Sequence, residues 1–340
     1  MTSANHPFSL SHMQKNKELF QCPACGGDLS VGNDIFCNGC GRHYPIRDGI
    51  PLLFLPNDWN GKKDVTEKIG AFYEKNPFPN YDDIDNIGVL IDKAERSLFA
   101  KMLDQQIPLN AKVLEVGCGT GQLSAYLGIS PRILFGTDLC LNSLRLANNF
   151  KAKNELDRVG FYQMNLFRPI FKEESFDLVI SNGVLHHTSD PYGGFRSIAR
   201  LVKKNGYILI GLYNKFGRLI TDIRRTIFFM FRDNFQFLDP YLRRKDVGAQ
   251  KKLTWFMDQY KNPHESKHTI GEVLNWFDTA GFEFQSGIPS PSLDLFDPSF
   301  RLFEKHERGN KLSHGLVQLQ LTFTGSREGG FFILIGKKTA

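Results

Sequence analysis

The sequence predicts an α/β protein built on a doubly wound, mostly parallel sheet, with a small cysteine-rich module in front of it. Three observations predict this. Short apolar runs near residues 112–116, 132–137, 159–164, 176–181 and 206–212 alternate with helix-compatible stretches, the mark of a parallel sheet. The first run, Lys112-Val-Leu-Glu-Val116, leads into Gly117, Gly119 and Gly121, which remove side chains where a strand must turn into a helix. The second run ends in Asp138, where doubly wound sheets place a carboxylate that accepts hydrogen bonds from both hydroxyls of a ribose.

Taken in order, residues 1–20 carry no pattern and are expected to form a partly ordered tail. Residues 21–56 hold Cys22-x2-Cys25 and Cys37-x2-Cys40, two knuckles separated by eleven residues. Four thiolates so spaced close a tetrahedral zinc site with no open position, which makes the metal structural. A disulfide framework is the poorer alternative in a reducing compartment. Cys118 and Cys140, outside this set, read as free thiols acting as small apolar fillers. Residues 57–70 form a polar linker, and residues 71–110 read as lid or pre-domain structure. There Phe72, Tyr73, Phe78 and Tyr81 cluster before a helix around 90–105, either as an aromatic lid or as a packing plug. The α/β domain occupies 111–340, with insertions at 213–268 and 289–329.

Composition narrows the function classes. At 340 residues, 23% charged and 41% hydrophobic, the chain suits one large soluble core plus a small module. The N-terminus lacks a signal-peptide layout and no apolar run approaches a transmembrane span, so a cytoplasmic location is expected. The net charge of +6 is local: residues 215–252 hold ten Lys/Arg against four Asp, an excess equal to that of the whole chain.

Residues 113–124 and 135–139 resemble the first two motifs of the class I S-adenosylmethionine (SAM)-dependent methyltransferases. The resemblance continues through Asn165, Phe176-Asp177-Leu178-Val179-Ile180, the Asn182-Gly183-Val184-Leu185-His186-His187 loop and Gly206-Tyr-Ile-Leu-Ile210. It implies a Rossmann-like sheet of seven strands, completed by 282–287 and by a reversed final strand at 331–336. It also implies SAM as methyl donor, held by Glu115, Gly117, Cys118, Gly119, Gly121, Asp138 and Asn182. Leu139 and Leu166 would sandwich the adenine, and Asn165 stands where many relatives place an Asp that takes the adenine amino group. Residues 22–55 resemble the zinc-ribbon activators that partner tRNA and release-factor methyltransferases, here fused in cis. That implies a ribbon covering an apolar face of the catalytic domain, the alternative being a ribbon that only decorates the N-terminus.

For the chemistry, His186 and His187 are candidate general bases, with Tyr213 at the acceptor pocket. The loop departs from the Asn-Pro-Pro-Tyr motif of enzymes that methylate exocyclic base amines. The stretch Arg218–Phe231 interleaves arginines with apolar residues at helical spacing. It reads as a lid over a small-molecule or lipid-like acceptor, as a basic helix on a membrane surface, or as an RNA-binding patch for tRNA. A non-catalytic SAM-binding adaptor is the reading from another class. His264-Glu265-Ser-Lys-His268 matches H-E-x-x-H, but Pro263 precedes it and a Thr269-x-x-Glu272 capping box follows. The pentapeptide is therefore expected to be a loop rather than a protease zinc helix.

Overall fold

The computed structural model describes residues 8–339, except 33, 60–63, 79–80, 82–83, 85 and 325–329. Residues 1–7 and parts of the linker and of the second insertion therefore lie outside the described residues. The first element is α1 (Phe8–Lys15). Strands β1 (Leu29–Val31), β2 (Ile35–Cys37) and β3 (His43–Tyr44) form an antiparallel sheet, and β4 (Ile46–Arg47) pairs with β5 (Ile50–Pro51). Helices α2 (Thr66–Lys75), α3 (Ile87–Glu95) and α4 (Leu98–Gln106) lead to the main domain.

That domain runs β6 (Lys112–Val116), α5 (Gln122–Leu127), β7 (Ile133–Asp138), α6 (Leu141–Lys153), β8 (Val159–Gln163), β9 (Phe176–Asn182), α7 (Pro191–Ala199) and β10 (Val202–Tyr213). The first insertion supplies α8 (Leu219–Met230) and α9 (Ala249–Lys261). Then come α10 (Ile270–Thr279), β11 (Phe282–Ile288), α11 (Lys311–Thr324) and β12 (Phe331–Lys338). The seven-stranded sheet has the order β11-β12-β10-β9-β6-β7-β8. The pairs from β8 to β10 are parallel, while β12 runs antiparallel to both β10 and β11. The strands carry continuous apolar runs because helices cover both faces: Val113, Leu114, Val179, Ile180, Leu209 and Ile210 are fully buried.

The cysteine module is not an appendage. Leu52 bridges Gln163 on the edge strand β8, and Phe20 bridges Phe171 in the segment between β8 and β9, so backbone from either side of the ribbon joins the main domain. The Phe20 and Phe171 rings lie 4.8 Å apart. Ile35, Tyr44 and Leu53 join Phe135, Tyr162 and Phe176 in a single apolar cluster. The ribbon thus covers an apolar face of the α/β domain, as the resemblance implies, and the decorative alternative fails.

The tail is where the sequence misleads. Residues 8–19 are folded: Ser9 donates to Asn148 Oδ1 at 2.9 Å, and His12 Nδ1 lies 2.7 Å from the Tyr162 hydroxyl. Gly160 leaves the space this requires, since a Cβ there would lie 2.3 Å from His12. An eight-residue helix has no stability of its own. Its order comes from contacts with β8 and α6, which no local pattern announces. The expected single helix around 90–105 is likewise two, α3 and α4, the second capped by Ser97 accepting from the Ala100 N–H.

Candidate active site

The C-terminal ends of β6, β7 and β9 open into one cavity of about 1170 Å³. The turn after β6 borders it, and this turn requires its glycines. Gly117 has φ +72°, and a Cβ there would meet Val184 at 2.3 Å; Gly121, also at +72°, would meet Phe161 at 2.5 Å. The Gly117 and Cys118 N–H groups both donate to the Thr137 carbonyl, at 2.7 and 2.9 Å, tying the turn to the end of β7.

Asp138 completes that tie. Its Oδ2 accepts from the Gly119 N–H and its Oδ1 from the Cys140 N–H, each at 2.8 Å. Burial raises its pKa, and these two amide bonds oppose the shift. Glu115 is buried at the end of β6, where Ser124 donates to it. Burial pushes its carboxyl up to about 7, with Asp138 adding to the shift. Leu139, Leu166 and Asn182 also face the cavity.

Of the sequence-predicted residues, Gly121 and His186 do not line this space. Gly121 is the N-cap of α5. His186 is buried behind His187, their Nε2 atoms 3.1 Å apart. His187 does line the cavity, and its Nδ1 faces the His264 carbonyl at 2.8 Å. Donation there leaves His187 Nε2 as the basic nitrogen, and His186 Nε2–H as the donor to it. Burial lowers both imidazole pKa values; the His187 and Arg218 charges lower His186 further, while Asp258 and the His264 carbonyl oppose the shift of His187.

Asn165 reaches the rim but is occupied. Its amide donates to the Leu55 carbonyl and to Asn57 Oδ1, at 2.8 and 2.7 Å, and its Oδ1 accepts the Phe167 N–H. The side chain fastens the segment that leaves the ribbon to the edge of the cavity.

A polar part of the wall joins Tyr73 and Tyr213, which the sequence singled out, to Asp258 and Gln259, which it did not. Tyr73 from α2 donates to Asp258 Oδ1 at 2.9 Å, and Gln259 Nε2 reaches Asp258 Oδ2 at 2.9 Å and the Tyr213 hydroxyl at 2.8 Å. All four line the cavity. Burial raises Asp258, opposed by His187 and by these two donors. A carboxylate on an amphipathic helix normally points to solvent, so no pattern separates Asp258 from its neighbours on α9. Of the expected aromatic lid, Tyr73 and Phe78 face the cavity, whereas Tyr81 stacks on Phe150 at 4.8 Å.

Much of the basic insertion is spoken for. Arg218 is fully buried, donates to both oxygens of Glu265 at 3.1 and 2.6 Å, and lies 3.9 Å above the Tyr213 ring. Arg225 reaches the same carboxylate at 3.0 Å. Burial would raise Glu265, but these guanidiniums outweigh it and hold the carboxyl below its ordinary value. The H-E-x-x-H segment is consequently no metal helix. Its Glu serves the arginines, His264 Nε2 faces the Thr188 carbonyl, and His268 Nδ1 faces Glu272. The capping box of Thr269 and Glu272 starts α10 as the sequence predicts.

Among the described residues one group has metal-ligand geometry. The Sγ atoms of Cys22, Cys25, Cys37 and Cys40 all lie within 4.8 Å of one another. Backbone N–H groups of Ala24, Gly27, Gly39 and Cys40 point at these sulfurs at 3.3–3.4 Å, the arrangement that stabilises thiolates around a cation.

Comparison with known proteins agrees with this geometry. Residues 114–210 match the methyltransferase domain family, and residues 18–49 match the Trm112p-like protein family. An uncharacterized Synechococcus protein is 24% identical over 247 residues, covering 65% of this chain and 59% of that protein. A ubiquinone biosynthesis O-methyltransferase of Coxiella burnetii is 31% identical over 117 residues, 34% of this chain and 49% of that enzyme. The chain thus spans between about half and three fifths of the length of these relatives. Among solved structures, Rickettsia typhi PKMT2 in complex with AdoHcy superimposes with a TM-score of 0.50 at 13% identity, covering 71% of this chain and 52% of that one. The strand order with its reversed β12, the glycine turn tied to Asp138 and the two family matches therefore show that this chain contains a class I SAM-dependent methyltransferase domain, preceded by a Trm112-like region that carries the four-cysteine cluster.

Proposed function

We propose that this protein transfers a methyl group from SAM to a small-molecule or lipid-like acceptor enclosed beneath α9. The observation that carries the reading is the cavity lined both by the Gly117–Gly119 turn and Asp138 and by the polar group Tyr73, Asp258, Gln259 and Tyr213. The kinship with a ubiquinone biosynthesis O-methyltransferase supports an oxygen acceptor of modest size.

The residues present fit both implied groups. At the glycine turn, the absence of a side chain at 117 lets Val184 pack against the backbone at the cavity wall, and Asp138 presents a desolvated carboxylate to ribose hydroxyls. Glu115 is the carboxylate available to an ammonium, and Leu139 and Leu166 supply apolar faces for a base. Asn165, whose amide is already used, contributes at most the second lone pair of its Oδ1. The four cysteines suit zinc, which would hold the ribbon closed and do no chemistry.

SAM supplies an electrophilic methyl group, so the chain has to align the acceptor and take its proton. His187 lines the cavity and is the candidate for that proton; its Nε2 lone pair, which accepts the His186 N–H in the resting site, has to be released for this. The Asp258 charge favours the imidazolium that forms, while burial keeps the resting ring neutral. Tyr213 and Gln259 bond each other and orient an acceptor oxygen. His187→Gln should lower kcat by about 10²–10⁴-fold with SAM affinity nearly unchanged. The acid limb of the kcat profile should lie below the ordinary histidine range; a profile and rate like the parent enzyme's would remove His187 from the mechanism.

SAM binding should also depend on Glu115. Its proton is held up to about pH 7, so the carboxylate that would meet an ammonium is mostly neutral at pH 5.5. Affinity for SAM, measured by calorimetry, should rise by about tenfold between pH 5.5 and 7 as this proton leaves. Glu115→Gln should flatten that dependence, and an equally steep slope in the variant would reject the assignment.

The alternative acceptor, tRNA, loses weight because Arg218 and Arg225 are turned inward onto Glu265. The deciding experiment incubates the protein with methyl-labelled SAM and fractionated extract. Label in organic-extractable small molecules supports the proposal, and label in RNA or protein overturns it. A steep fall of log affinity with log salt would mark an RNA acceptor.

A further inference from the structure

The hairpin of α8 and α9 buries its own three-ring core of Phe228, Phe256 and Tyr260, yet its tip turns apolar side chains outward. Phe229 is 82% exposed, Met230 61% and Phe237 60%, and Phe231, Phe235 and Leu238 are exposed as well. These six fall within residues 229–238, and the rings of Phe231, Phe235 and Phe237 form a chain with centroids 5.2 and 5.9 Å apart. Scattered exposed apolar residues need no explanation, but a contiguous group of rings does.

The tip is anchored. The buried Asp239 accepts from the Tyr260 hydroxyl at 2.5 Å and from Trp255 Nε1 at 3.2 Å. Trp255 itself lines the cavity, so the rigid element that exposes these rings also forms part of the cavity wall. Around the rings stand cations. Arg232, Arg243 and Lys245 are exposed, and among the described residues none of them appears in a salt bridge. Of the nearby acids, Asp233 pairs with Lys261, Asp246 with Arg244, and Asp239 is buried.

We propose that this tip is a docking surface for an anionic phospholipid bilayer, with the rings entering the interface and the cations meeting lipid phosphates. The chemistry selects this occupant. Aromatic and aliphatic side chains rimmed by Arg and Lys gain both apolar burial and attraction to anionic headgroups. A second copy would set the same cations against one another. RNA would be met by the cations, but Met230, Leu238 and the fully outward Phe229 offer nothing to its phosphates. The inference rests on the lipid-like reading of the acceptor only for its purpose: docking would set the cavity wall beside the bilayer from which such an acceptor arrives.

The test is flotation of the full chain with vesicles of pure phosphatidylcholine and of phosphatidylcholine mixed with phosphatidylglycerol. Binding to the anionic vesicles is expected at low salt, weaker at high salt. Phe229→Ser combined with Phe237→Ser should reduce it by at least about tenfold, because both apolar anchors are gone. The melting profile and SAM affinity should stay as in the parent, since neither residue touches the cavity or a core. Arg243→Gln with Lys245→Gln should weaken binding to the anionic vesicles alone. The proposal is overturned if the protein fails to float at low salt, or if the double serine variant floats as well as the parent. It is also overturned if that variant instead dissolves a dimer seen by light scattering or abolishes retention of RNA. Flotation is read without the reaction, so its failure leaves methyl transfer standing, and a failure of methyl transfer leaves the docking result standing.

Discussion

Asp138→Ala should weaken binding of SAM, and of its demethylated product, by about 30- to 1000-fold. Hydrogen bonds to a charged acceptor contribute roughly 1.5–3 kcal/mol each, and the loss of two, softened by replacement water, leaves about 2–4 kcal/mol. The carboxylate has a second task that adds to the effect. Its two oxygens hold the Gly119 and Cys140 amides, so its removal loosens the glycine turn and the start of α6 together. Asp138→Asn keeps one acceptor oxygen and should sit between the alanine variant and the parent. Calorimetry measures all three, and a thermal melt of the free proteins separates loss of binding from loss of fold. If the alanine variant binds within threefold of the parent while folded, the ribose role assigned to Asp138 is wrong.

Cys25→Ser should have the largest effect on stability. Cys25 is exposed, so the change removes a sulfur ligand without opening a core cavity. Structural zinc contributes on the order of 10 kcal/mol to small cysteine-ligated folds, and a three-ligand remnant forfeits much of that. Here the loss should spread. Phe20, Ile35 and Tyr44 share one apolar cluster with Phe135, Tyr162 and Phe176, and Asn165 clasps the chain as it leaves the ribbon. Zinc content by atomic absorption should fall from one per chain toward none, and the first melting transition should drop by a margin corresponding to more than about 3 kcal/mol. SAM affinity should decline with it, because Asn165 and the ribbon exit stand at the cavity rim. An unchanged metal content and melting profile would show that the cluster is not a zinc site that holds the fold.

These two expectations draw on different kinds of legibility. The glycine turn, Asp138 and the four cysteines were readable because each obeys a local rule: backbone conformation, strand-end placement, ligand spacing. Strand positions were readable for a similar reason, since buried parallel strands carry uninterrupted apolar runs; the observed bounds of β6 and β9 lie within a residue of those expected. The capping box before α10 is equally local. By contrast, α1 offered no signal because its order is supplied by Asn148, Tyr162 and the space above Gly160, all more than a hundred residues away. Asp258 and Gln259 were invisible because a polar residue on an amphipathic helix has the same spelling whether it faces solvent or a cavity.

The basic insertion shows the limit most directly. Its composition alone allowed a lid, a membrane surface and an RNA patch, since arginine is arginine whichever way it points. The fold divides the segment: Arg218 and Arg225 go inward to Glu265, while Arg232, Arg243 and Lys245 stay outside with Phe229 and Phe237. By itself, then, the amino-acid sequence determined what its local chemistry dictates: the sheet, the methyltransferase motifs and the four-thiolate module. Only the tertiary structure decided which charges are neutralised, that His187 rather than His186 meets the cavity, and that the ribbon is part of the core. Burial and pairing between distant residues set those outcomes, and they are properties of the packed chain that no window of sequence contains.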